Sequence, residues 1–210
     1  MKKALIIWGG WDGHQPEVVA NHLSSLLIQS QFETTVTSHL GVLLNDDLKD
    51  YDVIVPVWSC GISSDIYLDC LLDVIKQGVG LATFHGGINW FDQPEYHKMI
   101  GAVYLDDTPP EKYKVFIRDN QHFISNQVQD FDTVSEKYRL VVDDQVHQLA
   151  YAQVDGKHSP ICWVKPYGHG RVFYSALAHT PEELFKRESI ELILKGIHWC
   201  AGMDKEGDLL

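Results

Sequence analysis

Apolar residues in the first half of the chain come in short unbroken blocks. Lys3 to Trp8, Asp52 to Val57 and Gly80 to Phe84 are almost wholly apolar. Such runs predict strands buried on both faces, as in a parallel sheet covered by helices. Between them the period changes. Val18, Val19, Leu23, Leu26 and Leu27 recur at helical spacing within Pro16 to Ser30. Glu33 to Ser38 is a short β-branched run. Ile66, Leu68, Leu71, Leu72 and Ile75 mark a second helix over Asp65 to Gln77, closed by Gly78. The alternation β-α-β-β-α-β predicts a doubly wound α/β fold.

From Gly101 to Asp155 the pattern becomes short runs separated by turn residues. Tyr113 to Arg118, Tyr138 to Val142 and Gln148 to Val154 read as strands, and Asp155-Gly156 as a hairpin turn. Pro160 to Val164 and Arg171 to Ala178 make a last strand pair around Gly168-His169-Gly170. Thr180, Pro181 and Glu183 have the order of an N-cap, first helical position and capping-box acceptor. They open one last helix expected to run to Cys200. The expectation is one domain over residues 1–210, with a mostly parallel central sheet and 101–155 as a β-rich elaboration within it.

Composition narrows the partners. The chain has 210 residues, 45% of them hydrophobic, which is enough for a substantial core. The net charge is −12, and the 17 Lys and Arg residues are scattered. A duplex-binding face needs clustered base, so neither nucleic acid nor an anionic membrane is expected as a partner. No apolar window approaches a signal peptide or a membrane span. Cys60, Cys70, Cys162 and Cys200 are widely spaced with no CxxC, the usage of a reduced, cytoplasmic protein. No GxGxxG or P-loop pattern is present, so no nucleotide cofactor is expected.

The chemistry gathers at strand ends, where α/β folds bind ligands. Trp8-Gly9-Gly10-Trp11-Asp12-Gly13-His14, Val57-Trp58-Ser59-Cys60-Gly61, Phe84-His85-Gly86-Gly87 and Ala176-Leu177-Ala178-His179 each follow an apolar run. Gly86 or Gly87 is expected at positive φ, bending the chain to present His85. Trp11, Trp58 and Trp90 lie near the same ends and could stack on sugar faces. Asp12, Asn89 and Asp92 could bind hydroxyls there. Cys60 is expected to be a buried, inert thiol.

Several stretches together resemble the ThuA-like (trehalose utilisation) family of the class I glutamine-amidotransferase-like, flavodoxin-like superfamily. They are the first Gly-rich loop to His14, Phe84-His85-Gly86-Gly87, and Asp119-Asn120-Gln121-His122 followed by Phe131. Ser135-Glu136-Lys137-Tyr138, Pro160-Ile161-Cys162-Trp163 and Tyr167-Gly168-His169-Gly170-Arg171-Val172-Phe173-Tyr174 to His179 complete the match. Two positions depart from the family pattern. Ser135 stands where an aspartate is usual, and Phe123 where a proline is usual. The resemblance implies a flavodoxin-like three-layer sandwich and a role in carbohydrate utilisation. Glutaminases of the superfamily place a nucleophilic cysteine at the bend that His85 occupies, which argues against glutamine amidotransfer.

The constellation that follows is His85, His122, Glu136 and His179 in one pocket, with His14 at its rim. Imidazoles beside a carboxylate serve as acids, bases or ligands of a divalent ion such as Zn. A metal-free polar pocket is the alternative. A bland reading has Glu136 paired with Arg118, Arg139 or Arg171. The expected substrate is a small carbohydrate, a keto-sugar or glycoside undergoing acid–base isomerisation or elimination. A non-catalytic sugar-binding module and a metal-dependent hydrolase are the other readings. A homo-oligomer and a monomer are both compatible with the sequence.

Overall fold

The computed structural model describes residues 1–204. The apolar blocks become the parallel half of one nine-stranded sheet. These are β1 (Lys2–Gly9), β2 (Phe32–Thr37), β3 (Val53–Trp58) and β4 (Gly80–Phe84). After β5 (Ala102–Asp107) come β6 (Glu111–Ile117), β7 (Phe131–Ser135), β8 (Tyr138–Val142), β9 (His147–Val154), β10 (Lys157–Tyr167) and β11 (Gly170–Ser175). The large sheet runs β2-β1-β3-β4-β11-β10-β9-β6-β7, and β5 pairs with β8 in a separate two-stranded sheet.

The expected mostly parallel sheet is corrected here. Four pairings, β1 with β2, β1 with β3, β3 with β4 and β4 with β11, are parallel. The other four, from β11 outward to β7, are antiparallel. The sheet is therefore mixed, and β11 is its seam. The β-rich region does not sit apart from the α/β frame, because β6, β7 and β9 extend the same sheet. Their alternating burial, as in Phe131 to Ser135, shows one face toward the core.

The helices are α1 (Pro16–Gln29), α2 (Asp65–Gln77), α3 (Pro94–Ile100), α4 (Pro181–Leu184) and α5 (Arg187–Cys200). Gly78 ends α2 at φ 127°, a value that a Cβ resists. The last helix is two pieces rather than one. Thr180 caps α4 by accepting from the Glu183 N–H, but Phe185 and Lys186 leave helical geometry before α5 starts. Among the described residues no helix is long and apolar enough to cross a membrane. All four cysteines are free, and Cys60 is exposed rather than buried, since its loop leaves the sheet at φ 74°.

Candidate functional site

Left-handed backbone marks the loops leaving the parallel strands. Gly9 and Gly10 after β1 have positive φ, as do Cys60 after β3, His85 after β4 and Ala178 after β11. Three of these are not glycine, and such strain persists only where surrounding contacts fix it. The expectation for Gly86 and Gly87 is corrected. His85 itself takes φ 46°, and neither glycine is in the left-handed region. Both are required by space instead. A Cβ on Gly87 would lie 1.8 Å from Thr83 Oγ1, and one on Gly86 2.5 Å from the Ser59 Cβ. The bend is held by two buried tyrosines. Tyr174 donates to the His85 carbonyl at 3.0 Å and Tyr96 to the Gly87 carbonyl at 2.5 Å.

Three histidines meet above this bend. His85 Nε2 lies 3.3 Å from His14 Nε2 and 3.1 Å from His179 Nδ1. Glu136 comes from the corner between β7 and β8. Its carboxylate is 3.3 Å from His179 Nδ1 and 3.7 Å from His85 Nε2. The arginines proposed as its partners are engaged elsewhere. Arg139 binds Asp106 and Asp155, Arg171 binds Asp204, and Arg118 lies against His158.

Burial sets the charge states. It pushes His14 down to about 4, with the charge on His179 adding to the effect. His85 is driven well below the ordinary imidazole range by burial, then by His14 and His179, with a backbone bond to Ala176 opposing. Glu136 is raised by loss of solvent, and Asp107 and Glu183 add to this while His179 opposes it. His14 and His85 are therefore neutral beside a carboxyl whose proton affinity is increased.

Two residues complete the site that were not singled out beforehand. Tyr138, at the start of β8, places its hydroxyl 3.0 Å from both His85 ring nitrogens. Burial raises its phenol well above the usual range, so it keeps its proton. Its place two residues after Glu136 was the available signal. The second is Glu183, which is buried. Its carboxylate accepts from the His179 backbone N–H at 2.8 Å, from Ser135 Oγ at 2.7 Å and from Thr133 Oγ1 at 3.1 Å. It ties the His179 loop to β7 just before Glu136.

His122 is a correction. It lies toward the other end of the sheet, its ring 5.7 Å from Trp199, near Arg171 at the start of β11. Asp119 accepts from the backbone N–H groups of Gln121 and His122 and makes a local turn. Within that turn the His122 Nδ1 accepts from the Ile124 backbone N–H at 3.3 Å. Trp90 is also corrected, since it is fully buried against Phe91 and Tyr96 and is a core residue.

Trp11 is 55% exposed and sets its ring edge-on to His14 at 4.7 Å. The Trp11 backbone N–H donates to Ser59 Oγ. Trp58 packs across Gly9, where a Cβ would meet its ring at 2.4 Å. Asp12 is exposed in the turn before His14. Trp58, Ser59, His14, His85, Gly86 and Ala178 line a narrow crevice of about 20 Å³, room for a water or an ion but not a sugar. A larger ligand would have to lie over the mouth, beside Trp11 and Glu136. Metal-capable donor atoms of His14, His85 and His179 all lie within 4.8 Å of one another.

Similarity to known proteins is consistent with this architecture. A ThuA-like protein from Bacteroides uniformis superimposes with a TM-score of 0.81 at 19% identity, covering 97% of this chain and 93% of that one. A ThuA-like protein from Parabacteroides merdae gives 0.79 at 19% identity, covering 95% and 90%. A cytoplasmic protein from Salmonella typhimurium gives 0.67 at 15% identity, covering 95% and 99%. No curated protein matches in sequence. The model of the ThuA family, described as trehalose utilisation, matches residues 3–200, and the chain belongs to that family.

Proposed function

We propose that this protein acts on a carbohydrate, an oxidised (keto) sugar or glycoside in a trehalose-utilisation context, by moving protons next to a carbonyl. The outcome is isomerisation or elimination. The observation that carries this reading is the Glu136 carboxylate 3.3 Å from His179 Nδ1, with His85 held neutral beside them. A carboxylate of raised proton affinity can take a proton from the carbon next to a carbonyl and return it. Glu136 is the base on this assignment, His179 holds its carboxylate in place, and Tyr138 keeps a proton available in the same pocket. Trp11, exposed at the mouth, offers a face for the sugar ring.

The finer fold assignment belongs to the same proposal. The parallel half has the order β2-β1-β3-β4-β11, which follows the 2-1-3-4-5 order of flavodoxin-like sheets. This supports the class I glutamine-amidotransferase-like placement, and the continuous sheet supports one domain. Imidazole rather than a thiol at the bend speaks against glutamine hydrolysis. Free cysteines without disulfides support a cytoplasmic setting, and the net charge speaks against nucleic-acid partners.

The test uses a keto-disaccharide of the trehalose type in deuterated water. Enzyme-dependent deuterium incorporation next to the carbonyl, or elimination, lost in His179→Ala and Glu136→Gln, supports the proposal. A sugar-induced thermal shift with no exchange and no product would instead establish a binding module and overturn it.

A further inference from the structure

We propose that His14, His85 and His179 bind one divalent first-row transition metal of the Zn class, through Nε2, Nε2 and Nδ1 respectively, with the Glu136 carboxylate beside His85 and His179. The inference concerns the same site as the proposed function, but it rests on ligand geometry and not on the sugar chemistry.

The geometry is specific. Four ligands about 2.0–2.1 Å from a tetrahedral Zn are about 3.3–3.4 Å from each other. The structure gives 3.3 Å for His14 to His85, 3.1 Å for His85 to His179, 3.3 Å for His179 to Glu136 and 3.7 Å for His85 to Glu136. The donor nitrogens of all three histidines fall within 4.8 Å of one another, and both pairs through His85 have the tetrahedral spacing. The rings stand nearly edge-on to one another, at 80°, 78° and 69°, so they converge on a point rather than stack.

Hydrogen bonding alone serves this arrangement poorly. His85 Nε2 faces both other imidazoles, and one ring nitrogen has either one proton to give or one lone pair to offer. A single cation satisfies all the facing lone pairs at once. The outer contacts are those that metal-ligating groups need. His85 also bonds the Ala176 backbone and approaches the Tyr138 hydroxyl, and the His179 backbone is fixed by Glu183. Three imidazole nitrogens suit Zn, Co or Ni better than Mg or Ca, which take oxygen ligands. When bound, a metal of this kind can polarise a carbonyl oxygen.

The experiment takes the full chain without an affinity tag, strips it with a chelator and titrates Zn against a chromophoric chelator. The Co-loaded form is read by its visible spectrum. Expected are one Zn per chain and the intense visible bands of tetrahedral Co. His85→Ala and His179→Ala should lose both, with His122→Ala retaining both. Because a truncated imidazole could cost folding, Glu136→Gln is the second variant, with binding expected to weaken about 10–100-fold while the circular dichroism is unchanged. Less than a tenth of an equivalent bound at saturation, or binding unaltered in the His85, His179 and Glu136 variants, would overturn the site. Stoichiometric Zn without keto-sugar turnover upholds this inference and sinks the proposed function. Turnover by a chain that binds no Zn does the reverse.

Discussion

The Ser135 hydroxyl donates to the Glu183 carboxylate at 2.7 Å, and both side chains are buried. By the sequence resemblance, Ser135 stands where an aspartate is usual. Two carboxylates at this spacing could not both ionise without solvent, so serine and Glu183 belong together. Ser135→Ala should cost about 1–3 kcal/mol, the penalty of leaving a buried acceptor short of a donor. Ser135→Asp should cost more. Denaturant unfolding measures both, and an aspartate variant as stable as the parent would refute the pairing.

Tyr138→Phe removes the hydroxyl beside His85 without changing the buried volume. Stability should fall by only about 1 kcal/mol. Site function should fall about tenfold, from the loss of one hydrogen bond to a ring whose protonation matters. The deuterium-exchange assay, run beside thermal melts, separates the two effects. An unchanged exchange rate would remove Tyr138 from the site.

Gly87→Ala places a Cβ 1.8 Å from Thr83 Oγ1 in the fully buried end of β4. Overpacking of this kind costs about 1–3 kcal/mol and shifts backbone. The double variant Gly87→Ala with Thr83→Ala should recover part of the loss, because the clash is with that hydroxyl. No recovery in the melt would mean that the glycine is needed for another reason.

His122 gives a pH signature away from the pocket. Its pKa is lowered by burial, then by His147 and Arg171, while Asp119 and Asp204 pull it up. In the unfolded chain it titrates near about 6.5. As pH falls below that value the unfolded chain binds a proton that the folded form refuses until its own lower pKa. Stability therefore declines with falling pH from about 6.5 and levels off below the folded pKa. His122→Gln should make this decline shallower. Urea unfolding at several pH values reads the slope, and identical slopes would contradict the assignment.

Much of this was legible in the chain. The runs before His85 and His179 are mostly apolar, so their strands, their direction and the edge at which both imidazoles emerge followed from pattern. The parallel core strands came out close to their expected bounds. β5 and β7 were not anticipated, because Ala102–Asp107 and Phe131–Ser135 carry charges on an exposed face and lack a continuous run. His122 misled because its motif was read as part of the pocket, whereas Asp119 locks it into a local turn. Trp90 misled for a related reason. Nearness in sequence to a strand end does not say which way an indole points, and this one turns inward onto Phe91. Glu183 was visible only as a capping residue. Its link to His179 and Ser135 spans two elements far apart in sequence, which no local pattern encodes.

The seam at β11 has a temporal consequence. His14 and His85 follow strands that a nascent chain completes early, while Glu136 and Tyr138 lie at the corner between β7 and β8 and His179 follows the seam strand itself. β11 must slot between β4 and β10 before the last imidazole can reach the other two. The pocket is therefore assembled at the end of synthesis, by the same event that joins the two halves of the sheet. A chain cut or stalled before β11 would carry His14, His85 and Glu136 without His179, so a complete pocket reports that the whole sheet has closed.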